Sequence, residues 1–281
     1  MTYKQWLRTY NSRKQTFIEA NEREFGRLLV TARRGIPIPD EVNDRYRKHI
    51  SGVLGDFTDN YETTMGKRMS SAAKFELAGA TLLSAGFIKA IAGRATIPDD
   101  PTTAIAETVV ETAFSRTLPS GLTLSERIWD LNYTNDIISI VNNGITANLS
   151  PEMIARQLDS FVLPGRQVTT LTPYGRTLNF DSMRLARTEV MNAFRATNKE
   201  ELNLPWVTGQ VWVCYGSNPC DDCQAEEGKV YGPGDTFEGL HPHDECGFET
   251  ELMPNDEWDA ALDNYFQTGT DDIGIAEWLQ E

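Results

Sequence analysis

Three of the chain's four cysteines and two of its three histidines fall in one stretch, NPCDDCQAEEGKVYGPGDTFEGLHPHDEC, residues 218–246. Cys220 and Cys223 have Cys-x-x-Cys spacing, which lets one tight turn aim two thiolates at a single ion. His243 and Cys246 form a second pair, and nineteen residues separate it from the first. Three sulfurs and one imidazole nitrogen make a tetrahedral donor set suited to Zn2+. The intervening GKVYGPGDTFEGLHP has the glycine and proline content of a loop that must turn back. His241 competes with His243 for the nitrogen position, because it lies only two residues away. The alternative without metal is a set of buried thiols packing as small hydrophobes, and Cys214 reads as such an ordinary buried thiol.

The same stretch raises an enzymatic alternative. Zinc deaminases use Pro-Cys-x-x-Cys and His-x-Glu, with three protein ligands, a metal-bound water and the Glu as acid/base. Pro219-Cys220-x-x-Cys223 and His243-x-Glu245 supply both pieces, in the reverse order along the chain. Cys246, however, stands where it would fill the position that a catalytic zinc leaves open for water. A filled fourth position cannot activate water. The reading is therefore a structural zinc held by Cys220, Cys223, His243 and Cys246, with no catalytic residues. The alternative is a zinc-dependent hydrolase or deaminase using Glu245, which otherwise reads as a surface carboxylate.

The elements that must position this cluster are mostly helical. Tyr3, Trp6, Leu7, Tyr10, Phe17, Ile18, Phe25, Leu28 and Leu29 recur at helical spacing, and Gly35, Pro37 and Pro39 stop that helix. A second helix is expected from near Asp40, with Val42, Tyr46, Val53, Leu54, Phe57 and Tyr61 on one face. An Ala/Gly/Ser-rich helix over about 70–93 follows, then a break at TIPDDP (96–101) and a helix over 102–115. Thr123 and Glu126 have capping-box spacing. Ile137, Ile138 and Val141 mark a helix expected to end at Asn143-Gly144. Ser150-Pro151 opens the next, which uses Ile154 and Leu158.

VTTLTPYGRTLNF (168–180) reads as a hairpin, after which Asp181 caps a helix to about Leu202. WVTGQVWVC (206–214) and GFETELM (247–253) read as strands. No internal repeat is visible. The expected fold is α+β: a helical region over 1–160, an α+β domain over 161–255 carrying the zinc-type loop, and an acidic tail over 256–281 with Trp258 and Trp278.

The formal net charge is −15, unevenly spread. Residues 1–50 carry eleven Lys and Arg against six Asp and Glu, whereas residues 201–281 carry Lys229 alone against nineteen acidic residues. Such a C-terminal third repels a phosphate backbone, so any nucleic-acid contact falls to residues 1–50. The acidic third either faces a basic protein surface or simply resists association. MTYKQWLRTYNSRK lacks the apolar core of a signal peptide. The longest uncharged apolar run, LAGATLLSAGFI, has 12 residues where a span needs about 20. The cysteines are thus expected to be made in a reducing cytoplasm, where clustered thiols suggest metal before disulfide.

Several separated stretches taken together resemble one family. GLTLSERIW (121–129), the Ile-rich helix up to Gly144, SPEMIARQL (150–158) and RLARTEVMNAFRATN (184–198) are similar to the Mu F-type, or head-morphogenesis, family of tailed-phage minor head proteins. The Trp-bearing strand, Cys220-x-x-Cys223 and His243-x-x-Cys246 complete the resemblance, which covers roughly residues 115–255. Members usually continue the last cysteine as Cys-x-Cys after His-Pro; here Asp244 replaces that Pro and Phe248 takes the final Cys position. The resemblance implies a minor capsid protein of the virion, present in a few copies at the portal vertex. Such a protein joins the procapsid in the host cytoplasm and stays in the head, with portal and major capsid proteins as partners and no membrane. Arg187 and Glu189, within the Arg-Thr-Glu helix, point to different helix faces, so their partners must come from elsewhere in the fold.

Overall fold

A computed structural model describes residues 3–92, 94, 102–118, 120–164, 177–201, 203–214, 219–232, 235 and 246–280. The chain is α+β: mostly helical, with one small antiparallel sheet. It divides into two compact units that interleave along the sequence. Unit 1 comprises residues 1–12, 69–112 and 190–281, and unit 2 comprises 13–68 and 113–189. Neither coincides with the sequential segments 1–160 and 161–255.

Helix α1 (Tyr3–Arg34) ends where Gly35 donates back to the Thr31 and Ala32 carbonyls, with Arg33 and Arg34 in the last turn favouring the negative end of the helix dipole. Helix α2 (Asp44–Ala92) begins four residues later than expected. Asn43 Oδ1 accepts from the Tyr46 N–H at 3.0 Å and so caps it. The two helices expected over 40–61 and 70–93 are this one helix. No proline interrupts 44–92, and the buried stripe Tyr61, Met65, Met69 and Ala72 carries helical spacing through the expected gap.

Within unit 2, Ile18, Phe25, Leu29 and Ala32 of α1 are buried together with Ile50, Leu54, Phe57 and Tyr61 of α2. The Phe25 and Tyr61 rings lie 4.8 Å apart. The aromatic stripe of the first two helices is therefore core. The rest of the unit comprises part of α3 (Thr102–Ser115), α4 (Leu124–Trp129), α5 (Thr134–Thr146), α6 (Pro151–Val162) and the start of α7 (Leu178–Glu201). The expected capping box of α4 is present, with Thr123 Oγ1 accepting from Glu126 N and Glu126 accepting from Thr123 N. Ser150 caps α6 in the expected way.

Two helix-boundary expectations in this unit are corrected, at Gly144 and at Asp181. Gly144 does not stop α5, which runs on to Thr146; a Cβ on Gly144 would lie 2.6 Å from Ile154 Cγ1, so the glycine is there for close packing of α6. Of the expected hairpin, residues 168–176 lie outside the described residues, and residues 178–180 are already helical. Thr177 bonds the Phe180 N–H and starts α7, so Asp181 sits in the first turn and does not cap it.

Unit 1 holds the sheet, in the order β2–β1–β3, all antiparallel: β1 is Val207–Cys214, β2 is Val230–Tyr231 and β3 is Cys246–Leu252. Helix α8 (Asp221–Glu226) lies between β1 and β2 in sequence. Trp206, just before β1, is 1% exposed and packs against Phe87, Trp258 and Trp278 with ring centroids 5.9, 5.6 and 5.1 Å away. Its indole N–H donates to Ser84 Oγ at 2.8 Å. The stretch expected as an acidic tail is helical, as α9 (Asn255–Thr268) and α10 (Ile275–Gln280), and Trp258, Leu262 and Ile275 complete this core.

Two substitutions check the packing. Trp206→Ala removes the centre of the aromatic core and should cost about 3–5 kcal/mol in urea unfolding. Gly144→Ala gains about 1 kcal/mol of helix propensity but meets Ile154, and overpacking of about 1–3 kcal/mol outweighs it. A lowered melting temperature is expected.

Candidate metal site

The cysteine cluster is built at one end of the small sheet. Cys220 precedes α8 in extended conformation, and its Sγ accepts from the Cys223 N–H at 3.4 Å, acting as the helix cap. That arrangement turns the Cys-x-x-Cys so that Cys223 is buried while Cys220 is exposed. Cys246 opens β3 and is buried. Three of the four expected ligands thus belong to described elements. His243 lies outside the described residues, as do His241, Asp244 and Glu245.

The structure adds a residue that sequence reasoning set aside. Cys214 ends β1 directly opposite Cys246 in the strand register, and its Sγ donates to the Cys223 carbonyl at 3.2 Å. Burial, followed by the nearby Glu227, pushes the Cys214 thiol up to about 11. Burial raises Cys246 further still, reinforced by the Cys214 and Cys223 thiols. All four cysteines are thiols, none in a disulfide. Among the described residues, no group of three or more His, Cys, Asp and Glu side chains stands ready to hold a metal ion. Thiols are soft donors of the kind zinc prefers, but the four described cysteines are not assembled into such a set.

The surroundings hold this end of the sheet firmly. Trp212 exchanges backbone hydrogen bonds with the turn after α8, donating to Lys229 O and accepting from Gly228 N, each at 2.9 Å. Gly228 sits at φ +79°, a left-handed conformation that glycine adopts without strain. The Cys214 N–H donates to Glu227 Oε2 at 2.7 Å. Phe248 packs its ring against Trp212 and Tyr231, 5.2 and 5.5 Å away. Arg195 of α7 donates to the Cys246 carbonyl at 2.8 Å and lies over the Trp212 ring.

The Arg-Thr-Glu stretch of α7 finds its partners within unit 2. Arg187 pairs with Glu22 of α1, and Glu189, 2% exposed, accepts from Arg116 Nη2 at 2.6 Å. Close by in sequence, Asp181 accepts from the Tyr133 hydroxyl and lies 3.6 Å from Arg127 Nη2. Burial, then the Asp181 carboxylate, raises the Tyr133 hydroxyl well above its ordinary range, so it remains a donor. These are part-buried ion pairs and hydrogen bonds fastening α7 to its neighbours.

The pairing of Cys214 with Cys246 was hidden because it depends on strand register, which spacing along the chain does not reveal. The signal that was available is alternation: Trp212 and Cys214 share one face of β1. Comparison with protein-family models, with curated proteins and with solved structures finds no match for this chain.

Proposed function

We propose that the protein is a minor head protein of a tailed bacteriophage: a non-enzymatic virion component that joins the portal vertex during procapsid assembly. The observation that carries this reading is the resemblance of GLTLSERIW, SPEMIARQL, RLARTEVMNAFRATN and the two Cys/His pairs, in that order on one chain, to the Mu F-type head-morphogenesis family. The three peptide stretches overlap α4, α6 and α7, Cys220 caps α8, Cys223 lies within it and Cys246 opens β3, which supports reading these parts as one framework.

In this reading Cys220, Cys223, His243 and Cys246 hold a structural Zn2+. The ion supplies a crosslink between the start of α8 and the start of β3, in a part of the fold whose sheet is too small to stabilise itself through its core. The partners are the portal and major capsid proteins, and the protein resides in the head near the portal vertex after assembly in the host cytoplasm.

Charge supports a protein partner. Unit 1 carries eight basic against twenty-five acidic residues, a net −17, while unit 2 carries eighteen against sixteen, a net +2. Unit 1 therefore favours a basic protein surface and opposes a phosphate backbone; any nucleic-acid contact belongs to residues 1–50. No helix among the described residues is long and apolar enough to cross a membrane.

Three measurements test the reading. Purified phage heads should contain the protein in a few copies, and the co-expressed portal should retain it in a salt-sensitive manner, since exposed charges are screened within about 8 Å at physiological ionic strength. Absence from heads, or no retention at low salt, overturns the virion reading. Chelation should lower the melting temperature and release about one zinc per chain; an unchanged melt with no zinc by elemental analysis removes the metal.

A further inference from the structure

Cys214 is the one cysteine outside the two Cys/His pairs, and the strand ladder fixes what stands across from it. Trp212 turns its N–H and C=O toward Lys229 and Gly228, on the side of β1 where β2 pairs. Peptide groups alternate along a strand, so those of Val213 face β3 and those of Cys214 face the β2 side again. The bonds agree: the Cys214 N–H donates to Glu227, and the Cys246 carbonyl, turned away from β1, accepts from Arg195. Cys214 and Cys246, partners in the register, are therefore a pair that exchanges no backbone hydrogen bond. Such pairs hold their Cα atoms about 4.5 Å apart, with the side chains closer than in hydrogen-bonded pairs. A disulfide takes a Cα separation of about 4.4–6.8 Å. Both side chains leave the sheet on the face of Trp212 and Phe248, where Cys246 is buried and Cys214 half-buried.

We propose that Cys214 and Cys246 are an oxidative modification site: a thiol pair that small-molecule disulfides convert to a cross-strand disulfide. Attack by the Cys214 thiolate on a reagent sulfur breaks the reagent's S–S bond, leaves Cys214 in a mixed disulfide and releases one reagent thiol. The Cys246 thiolate then attacks Cys214 Sγ, forms the protein S–S bond and releases the second reagent thiol. The two protein sulfurs are oxidised, the two reagent sulfurs are reduced, and the two protein thiol protons end on the released thiols. Cys214 is the entry point because it is the less buried of the two. Its thiol is turned to the Cys223 carbonyl, so closure takes a rotation about χ1 and loss of that hydrogen bond. Burial holds both thiols protonated at neutral pH, so the exchange is slow and its end state is the measure. Cys223 is buried in the same cluster but lies on α8, where no ladder sets its backbone at disulfide distance. The crosslink would pin the end of β1 to the start of β3. It goes beyond the proposed function and does not depend on it; where Cys246 ligates zinc, crosslink and metal exclude each other.

The test equilibrates the full chain, with a chelator present, in glutathione buffers of stepped reduced-to-oxidised ratio. The remaining thiols are then alkylated and the disulfides mapped by mass spectrometry. The expected product is one intramolecular disulfide joining Cys214 and Cys246, with Cys223 alkylated after unfolding. It should raise the melting temperature by several degrees over the reduced chain, because the crosslink closes a loop in the unfolded state. Cys214→Ser should lose both the crosslink and the rise. A disulfide joining Cys223 to Cys220 or to Cys246 overturns the proposal. So does recovery of Cys214 and Cys246 as alkylated thiols at the most oxidising ratio. The wild-type map alone decides, so a variant that fails to fold does not stall the test. Any zinc is removed before oxidation, so the result is read apart from the fate of the metal reading.

Discussion

Within unit 1, both the aromatic core and the thiol cluster depend on a single antiparallel register between β1 and β3. At one end, the Met253 N–H closes on the Trp206 carbonyl at 2.9 Å, beside the packed rings of Phe87, Trp206 and Trp258. At the other end, Cys214 stands opposite Cys246. Because successive strand residues face opposite sides, a slip by one residue would turn Trp212 and Phe248 to the wrong face and part the two sulfurs. The register is therefore the constraint from which the rest of this unit follows. Gly209, where the ladder is irregular, lets Val230 and the Tyr231 carbonyl of β2 approach closely; a Cβ there would sit 3.0 Å from Val230 Cγ1.

That register is reinforced by buried polar groups. Glu76 of α2, 4% exposed, accepts from Asn198 Nδ2 at 2.9 Å, and the Asn198 carbonyl accepts from the Gln210 side chain of β1. Arg195, one turn earlier in α7, reaches the first carbonyl of β3. Each of these groups would be costly to bury alone, so the arrangement that links them is preferred over alternatives that part them. Unit 2 uses the same device with charges, through Arg33–Asp159 at 2.7 Å and Arg116–Glu189 at 2.6 Å. Such pairs add less to net stability than to uniqueness, since the desolvation of both partners offsets much of their attraction.

Local signals in the sequence located most helices. The stop at Gly35, the box at Thr123 and Glu126 and the cap at Ser150 are properties of four or five neighbouring residues, and all are present. The strands 207–214 and 246–252 were legible within one residue from their bulky, alternating side chains. What was not legible is set by partners far along the chain. Gly144 has the look of a helix stop and is in fact a contact for Ile154; Asp181 has the look of a cap and instead receives Tyr133. Trp258 lies in an acidic stretch yet is buried against Trp206. Of the candidate site, the Cys-x-x-Cys pair was readable from spacing, but the place of Cys214 opposite Cys246 required knowing which strand lies beside which.

The interleaving of the two units bears on how the chain is made. Asn11, on the first helix, donates to Glu249 on the last strand, 238 positions later. At about 5–20 residues per second on the ribosome, the N-terminal segment waits tens of seconds for that partner to emerge. Unit 2 requires nothing beyond residue 189 and so has all its parts first. Unit 1 can close only after translation has passed β3, so until then the nascent chain carries that half incomplete.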